Sequence, residues 1–347
     1  MGRKLLWASL ALAPATIALD LFADLGKTAL FGLSAASLIP LAWLIGEATE
    51  HAAEHMGPGI GGFLNASFGN APELIIALAA VGDRLPEVVR GSLAGSIVSN
   101  LLLVLGVTLI AGTEAPLDRR SLLTQIGIIL LAVLAFLVPS VPGFHGDPER
   151  QSLAYASIPV AIFLLCVYFT VTIAGLRRHS RIHAEEETEE PKGWPLWVAL
   201  TALGVATAAT AFVSEILVHS LDAFADAAGL SRFFISAVIV AVVGNAAEHG
   251  GAVVVAHRGK MRLATEIAIS SGAQVALLVA PAVALLSFLF PHELPLSFRP
   301  VELAAMGGAA AIVAVAVWNG QSRRSAGVVL VTLYVGVAIG FWAAGDR

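Results

Sequence analysis

The sequence predicts an all-α polytopic membrane protein of about 11 transmembrane helices, with two inverted five-helix repeats plus one N-terminal helix. Composition is the first observation: 57% of the residues are apolar, 13% are charged, and the mean hydropathy is +0.84. A second is the series of apolar runs of about 20 residues, the length that crosses a bilayer. A third is a near repeat, because GNAPE at residues 69–73 returns as GNAAE at residues 244–248.

Charged residues, prolines and glycines divide the apolar runs into the predicted helices. The first follows Arg3 and Lys4 and resembles the apolar part of a signal peptide. No clean Ala-x-Ala cleavage site follows it, so we expect a retained helix. The predicted spans are residues 5–22, 28–50, 61–82, 87–112, 121–138, 152–176, 195–219, 231–256, 263–290, 299–319 and 326–344.

These spans divide the chain into four predicted parts. They are an N-terminal transmembrane helix (1–25), a first five-helix repeat (26–178), an acidic cytosolic linker (179–194) and a second five-helix repeat (195–347). Five is an odd number of spans, so the second repeat would enter the membrane upside down relative to the first. With a cytosolic N-terminus, 13 of the 20 lysines and arginines lie in inside loops. The positive-inside rule therefore predicts a cytosolic N-terminus and an outside C-terminus.

Charge and cysteine content argue against other protein classes. The net charge is −5, and no basic cluster is large enough to hold nucleic acid. The single cysteine, Cys166, cannot build a disulfide framework.

One glutamate in each half, Glu73 and Glu248, falls inside an apolar span. An acid there costs roughly 2.5–3.5 kcal/mol to insert, so it is a functional candidate by default. At 1.5 Å per residue, Glu73 lies about 18 Å along its predicted span, near the middle of the bilayer. The same acid in both halves predicts a duplicated carrier whose site takes one glutamate from each repeat.

The neighbouring residues predict what the two acids hold. Each glutamate shares a helical face with the asparagine three residues before it. Pro72 leaves a backbone carbonyl free one turn before Glu73. The next helix of each half adds polar atoms from GSIVSN (95–100) and SSGAQ (270–274). The alignment of these two segments has two solutions. If equivalent residues of the repeats are 174 positions apart, Gln274 matches Asn100, and if they are 175 positions apart, it matches Ser99. These oxygens suit Ca²⁺ better than zinc or copper, and two carboxylates balance its charge. The predicted metal ligands are Glu73, Glu248, Asn70, Asn245, Ser99 and Gln274.

With these motifs the chain resembles the calcium/proton antiporter (cation/proton exchanger) family of the cation/calcium exchanger superfamily. The resemblance is carried by Ala48-Thr49-Glu50 and by the segments LNASFGNAPELIIA, GSIVSNLLLVLG, GNAAEH and QVALLVAP. It implies eleven helices, a central cation site on Glu73 and Glu248, and secondary active exchange of cytosolic Ca²⁺ for H⁺. It also implies that His249 places the chain in the proton-exchanging branch.

The mechanism expected from these residues is alternating access at the two glutamates. When the metal leaves, protons neutralise both carboxylates for the return step, so Glu73, Glu248 and His249 are the residues predicted for proton coupling or gating. No enzyme activity and no cofactor are expected, and Ca²⁺ is the transported substrate. The predicted partners are Ca²⁺, H⁺, the lipid bilayer and, in a homo-oligomer, a second copy of the chain. Short tails favour a prokaryotic plasma membrane, with a vacuolar membrane as the alternative. A sodium-coupled calcium exchanger is the alternative within transport.

Three other features lead to further hypotheses. Glu50 and its counterpart Glu215 would line a cytosolic vestibule. The stretch HAAEH at residues 51–55 matches the H-x-x-E-H pattern, which favours a membrane zinc peptidase as an alternative of another class. The linker is dense in like charge, which is typical of a solvated segment and also fits a calcium sensor. Its acids are Glu185, Glu186, Glu187, Glu189 and Glu190.

Overall fold

The computed structural model describes residues 2–23, 25–182 and 193–346. Within these ranges the chain is helical apart from short loops and one isolated bridge between Pro116 and Gln321, so the predicted all-α class is confirmed. The helices are α1 (Gly2–Ser9), α2 (Leu12–Phe22), α3 (Lys27–Phe68), α4 (Ala71–Gly82), α5 (Pro86–Val98), α6 (Leu105–Ala111), α7 (Arg119–Gly143), α8 (Gln151–Ile182), α9 (Leu196–Ala228), α10 (Arg232–Phe234), α11 (Ala241–Gly244), α12 (Ala246–His257), α13 (Met261–Gln274), α14 (Ala280–Leu286), α15 (Pro300–Ala316) and α16 (Arg324–Ala344).

The number of membrane-spanning helices agrees only in part with the eleven that the sequence predicts. Among the described residues, eight helices are long and apolar enough to cross a membrane. A ninth span results if the bent pair Arg232–Gly244 and Ala246–His257, which meet at 56°, counts as one. The shorter apolar helices α4 and α15 occupy two further predicted spans. The count of eleven therefore stays a prediction.

The largest departure from the predicted boundaries is at α3. A loop was expected between residues 50 and 61, whereas α3 continues to Phe68. The stretch HAAEHM favours helix up to Met56, because alanine, glutamate and methionine are strong helix formers. The following residues GPGIGG (57–62) are poor helix formers, so α3 continues there against local propensity. The helix ends instead just before Asn70, whose backbone leaves helical geometry at φ −94° and ψ 12°. Pro72 explains the new start, since proline is well suited to the first turn of a helix.

The second half shows the same interruption at the matching residue. Asn245 separates α11 from α12 with φ −92° and ψ 4°, nearly the values of Asn70. In addition, the described part of the chain contains three π-helical segments, at Ser99–Val104, Ile235–Val240 and Val275–Val279. Single π turns inside helices are often found at functional sites. None of the three was expected from the sequence.

Two spans lie at the centre of the bundle. They are Pro86–Ala111, whose window is 83% buried, and Met261–Leu289, whose window is 61% buried, against 11% for Lys4–Phe22. A very close approach between α5 and the π segment Ile235–Val240 supports this central position. A Cβ on Gly95 would stand 2.0 Å from the carbonyl oxygen of Ala237. Glycine therefore lets the two halves meet backbone to backbone.

Candidate functional site

The two helix interruptions place the two glutamates in equivalent local settings. Glu73 lies in the first turn of α4, and Glu248 lies in the first turn of α12. Free backbone N–H groups and the helix dipole make the start of a helix favourable for a carboxylate. The asparagine at each interruption provides side-chain amide groups next to the glutamate.

Glu73 is closed off from its surroundings. Its side chain is only 7% exposed, and among the described residues neither carboxylate oxygen has a hydrogen-bond partner outside its own residue. The side chain packs against Gly244 of the second half, where a Cβ would stand 3.5 Å from the glutamate Cγ. A cavity of about 10 Å³ beside it, lined in part by Ser92 and Ser96, has room for about one water molecule.

Glu248, in contrast, faces open space. It accepts a hydrogen bond from the Ser271 hydroxyl and lines a cavity of about 450 Å³. Glu47 and Glu50 of α3 lie along the same cavity. Gly69, four residues before Glu73, lines this cavity together with Glu248, and Glu73 itself packs against Gly244, four residues before Glu248. The pair thus joins a buried acid to an acid that is accessible from one side.

The side-chain amides connect the two halves around this pair. Asn70 donates to the Gln274 side-chain oxygen at 2.5 Å. Asn245 donates to the Ser96 hydroxyl at 2.9 Å and to the Ala241 carbonyl at 3.0 Å, and it accepts from Asn100 at 3.4 Å. The asparagine of each half is therefore held by the helix that follows the glutamate of the other half.

These contacts distinguish the two offsets that the sequence left open. Asn100 and Gln274 each contact the asparagine of the opposite half, which is the pairing given by an offset of 174. Ser99, one of the predicted ligands, is not brought to the site. Its hydroxyl donates to the Ser96 carbonyl at 3.2 Å, and it lines neither cavity.

Ser96, Ser271 and Asn100 are the site residues that the predicted ligand set left out. An offset of 175 pairs Ser96 with Ser271, whereas the contacts pair Asn100 with Gln274 at an offset of 174. The serine that recurs at positions 96 and 271 is the signal in the sequence that could have identified these residues.

Of the predicted vestibule and gating residues Glu50, Glu215 and His249, only Glu50 lines the large cavity. Glu50 lines the large cavity, but Glu215 is exposed on α9 and is not part of that lining. It lies one turn before His219, whose imidazole nitrogen is 3.1 Å from an Asp83 carboxylate oxygen. His249 does not line the cavity either, and its Nε2 is buried without a partner among the described residues.

The HAAEH histidines contact Trp194, the last residue of the predicted linker. The ring of His51 lies 4.8 Å from that of Trp194, and its nitrogens are 3.6 Å from Glu47 and 3.8 Å from Glu54. The Nε2 of His55 donates to the Trp194 carbonyl at 2.8 Å. In the part of the chain that the structure describes, no three His, Cys, Asp or Glu side chains could hold a metal ion together. The acidic stretch 185–190 lies outside the described residues.

Comparison with known proteins gives the family. A family described as sodium/calcium exchanger protein matches residues 26–172 and 198–343. The chain belongs to this family. It is 38% identical to the Ca²⁺/H⁺ antiporter ChaA of Bacillus subtilis over 322 residues, which are 90% of this chain and 92% of ChaA. It is 32% identical to vacuolar cation/proton exchanger 1 of Arabidopsis thaliana over 334 residues, 90% of this chain and 72% of that protein.

A solved structure agrees with the family. The structure of native YfkE superposes with a TM-score of 0.83 at 34% identity, and the match covers 97% of this chain and 99% of YfkE. This family member is therefore an integral membrane transporter, and the resemblance to calcium/proton antiporters is confirmed.

Proposed function

We propose that the protein exchanges cytosolic Ca²⁺ for H⁺ by alternating access at a site formed by Glu73 and Glu248 near the midplane of the membrane. The observation that carries this proposal is the carboxylate of Glu73, which is buried, has no hydrogen-bond partner among the other described residues and belongs to a side chain that packs against Gly244, four residues before Glu248. A bare charge of this kind is costly inside an apolar bundle. A divalent cation between the two acids, or a proton on each, would remove that cost.

The surrounding atoms support Ca²⁺ as the cation. Side-chain oxygens of asparagine, glutamine and serine surround the pair, and Ca²⁺ takes 6–8 oxygen ligands in flexible geometry. Two carboxylates match its charge of +2. The names of the relatives agree, since ChaA is a Ca²⁺/H⁺ antiporter and the Arabidopsis protein a cation/proton exchanger.

The cavities support an inward-facing state. The large cavity reaches Glu248 from the side of Glu47 and Glu50, which the predicted orientation places in the cytosol. The small cavity behind Glu73 lies toward the opposite side and is closed. In the alternate state, we expect Glu73 to become accessible from outside. The matching interruptions at Asn70 and Asn245 favour two inverted repeats that could exchange these roles.

Proton coupling needs no additional residue in this scheme. Protons and Ca²⁺ compete for Glu73 and Glu248, so protonation of the two carboxylates on one side of the membrane accompanies the release of Ca²⁺ there. His249 follows Glu248 directly in α12, and its side chain points about 100° away around the helix. We assign it a gating role beside the pair rather than a ligand role.

Calcium uptake into liposomes that contain the purified protein tests the proposal. With an imposed pH gradient and no sodium, we expect uptake that a protonophore abolishes. Glu73→Gln and Glu248→Gln should each lack uptake. Glu293→Gln, which removes a carboxylate that bonds Gln151 at 3.1 Å in an exposed loop, is the matched control and should retain it.

Two results would contradict parts of this proposal. Uptake that occurs only under a sodium gradient would show that Na⁺ and not H⁺ is the coupling ion, and would leave the two-glutamate site in place. Proton-linked uptake by Glu73→Gln would exclude the two-glutamate site itself.

A further inference from the structure

A groove runs between α15 and α16 on the surface of the bundle. Its volume is about 560 Å³. Most of its wall is aliphatic, with Ala311, Ile312 and Val315 on one side and Val329 on the other. Four polar side chains close one end: Asn319, Gln321, Arg323 and Ser325. The groove is therefore amphipathic along its length.

The polar end is held in place by a neighbouring loop. The Leu117 amide donates to the Gly320 carbonyl and the Ser322 amide donates to the Ala115 carbonyl, both at 2.9 Å. The Ser322 hydroxyl adds a bond of 2.8 Å to the Thr113 carbonyl. Residues 319–325 therefore form a fixed rim.

An aromatic residue indicates how deep this rim lies. Trp318 is 56% exposed, and the Arg119 guanidinium lies 4.4 Å from the centre of its ring. Exposed tryptophans in membrane proteins concentrate at the level of the lipid headgroups. The groove thus leads from headgroup level into the hydrocarbon region, on the predicted cytosolic side.

The charge at the rim is positive and uncompensated. No acidic side chain lines the groove among the described residues. Arg323 is exposed and forms no ion pair with any residue that the structure describes. Guanidinium and amide N–H groups together suit a phosphate, since arginine can donate two parallel hydrogen bonds to it.

We propose that this groove binds an anionic phospholipid of the cytosolic leaflet, with its phosphate at Arg323 and an acyl chain along α15 and α16. A free phosphate ion would use only the rim, whereas the aliphatic wall requires a hydrocarbon chain. This lipid site goes beyond the proposed transport function and does not depend on it.

Binding to the purified protein in detergent tests the site, with phosphatidylglycerol as the probe and phosphatidylcholine and inorganic phosphate as comparisons. Native mass spectrometry would count bound lipid, and thermal unfolding would report stabilisation. We expect phosphatidylglycerol to bind and to raise the Tm more than either comparison. Arg323→Gln should weaken its apparent affinity about fivefold, the contribution of one basic residue near an anionic lipid.

Two further variants distinguish a lipid bound in the groove from general surface charge and from a free phosphate ion. Arg258→Gln removes one charge from an exposed loop on the same predicted face, outside the groove, and should leave the affinity unchanged. Ala311→Trp fills the apolar wall and should abolish lipid binding while retaining Arg323. Equal losses in Arg323→Gln and Arg258→Gln would overturn the site in favour of general surface charge. If inorganic phosphate raised the Tm as much as phosphatidylglycerol does, and did so equally in Ala311→Trp, the ligand would be a phosphate ion and the lipid proposal would be wrong.

Discussion

The side chain of Glu73 packs against Gly244, the glycine that opens the repeated phrase of the other half, with 3.5 Å between the glutamate Cγ and the place of a Gly244 Cβ. Gly69, the matching glycine of the first half, lines the cavity that contains Glu248. Each GNA phrase therefore provides a glutamate for the pair and a glycine that leaves room for the glutamate of the other half. This reciprocity explains why the glycine and the acid recur together.

Substitutions at Gly244 should have effects that depend on their size. A Cβ at this position makes only ordinary contacts, so Gly244→Ala should retain calcium uptake. The branched or longer side chains of Gly244→Val and Gly244→Leu would overlap Glu73 and should reduce uptake strongly. Uptake into liposomes at several calcium concentrations would measure this. Full activity in Gly244→Leu would show that Glu73 does not need this position.

The two neighbouring serines of α5 and its π segment should differ in importance. Ser96 accepts from Asn245 and lines the cavity beside Glu73, whereas Ser99 bonds only within its own helix. We expect Ser96→Ala to weaken calcium binding by a few-fold to about tenfold, the loss of about 1 kcal/mol for one hydrogen bond. Ser99→Ala should bind calcium like the wild type. The reverse order of affinities, measured by calorimetry, would restore Ser99 to the ligand set.

The sequence alone singles out the two glutamates as candidates, because each is an exception in its surroundings. A charged residue in an apolar span is visible in the sequence, and its recurrence in the same phrase argues against coincidence. Their partners are also partly visible, since Asn70 and Asn245 lie one turn before the acids. This information is local, so hydropathy and helical spacing carry it.

The features that the sequence did not predict depend on contacts between distant segments. Ser96 rather than Ser99 bonds Asn245 of the second half, and the sequence gives no reason to prefer one serine over the other. The sequence favours a break at residues 57–62, because glycine and proline are poor helix formers, and helix α3 nevertheless continues through them. The rotation of a helix about its axis and the point where it breaks are set by neighbours far away in the chain.

We expect that position 95 does not tolerate even the methyl side chain of alanine. A Cβ there would stand 2.0 Å from the Ala237 carbonyl oxygen, so α5 and the second half would have to move apart. We expect Gly95→Ala to lower the Tm of the purified protein by several degrees, since overpacking typically costs about 1–3 kcal/mol. Gly127→Ala in α7 is the matched control, because a Cβ there meets nothing within 4 Å. Its Tm should be equal or slightly higher, as alanine favours a helix. Equal Tm values for the two variants would contradict the close packing.

Asp118 should contribute stability that disappears in acid. It caps α7 through the Ser121 amide at 3.1 Å and pairs with Arg262. The hydrogen bond from Ser121, and to a smaller extent Arg262, lowers the pKa of Asp118 below its usual value. A lowered pKa in the folded state means that stability is present above the unfolded pKa and is lost as the pH falls through the folded pKa.

Asp118→Asn isolates this charge, because asparagine is an equally good helix cap. We expect the variant to melt below the wild type near pH 7, and the two Tm values to converge below about pH 4. The difference at neutral pH should correspond to less than about 1 kcal/mol, because the pair is exposed and solvent screens it. Thermal melts from pH 3 to pH 8 would measure this, and a constant difference across that range would show that the charge is not responsible.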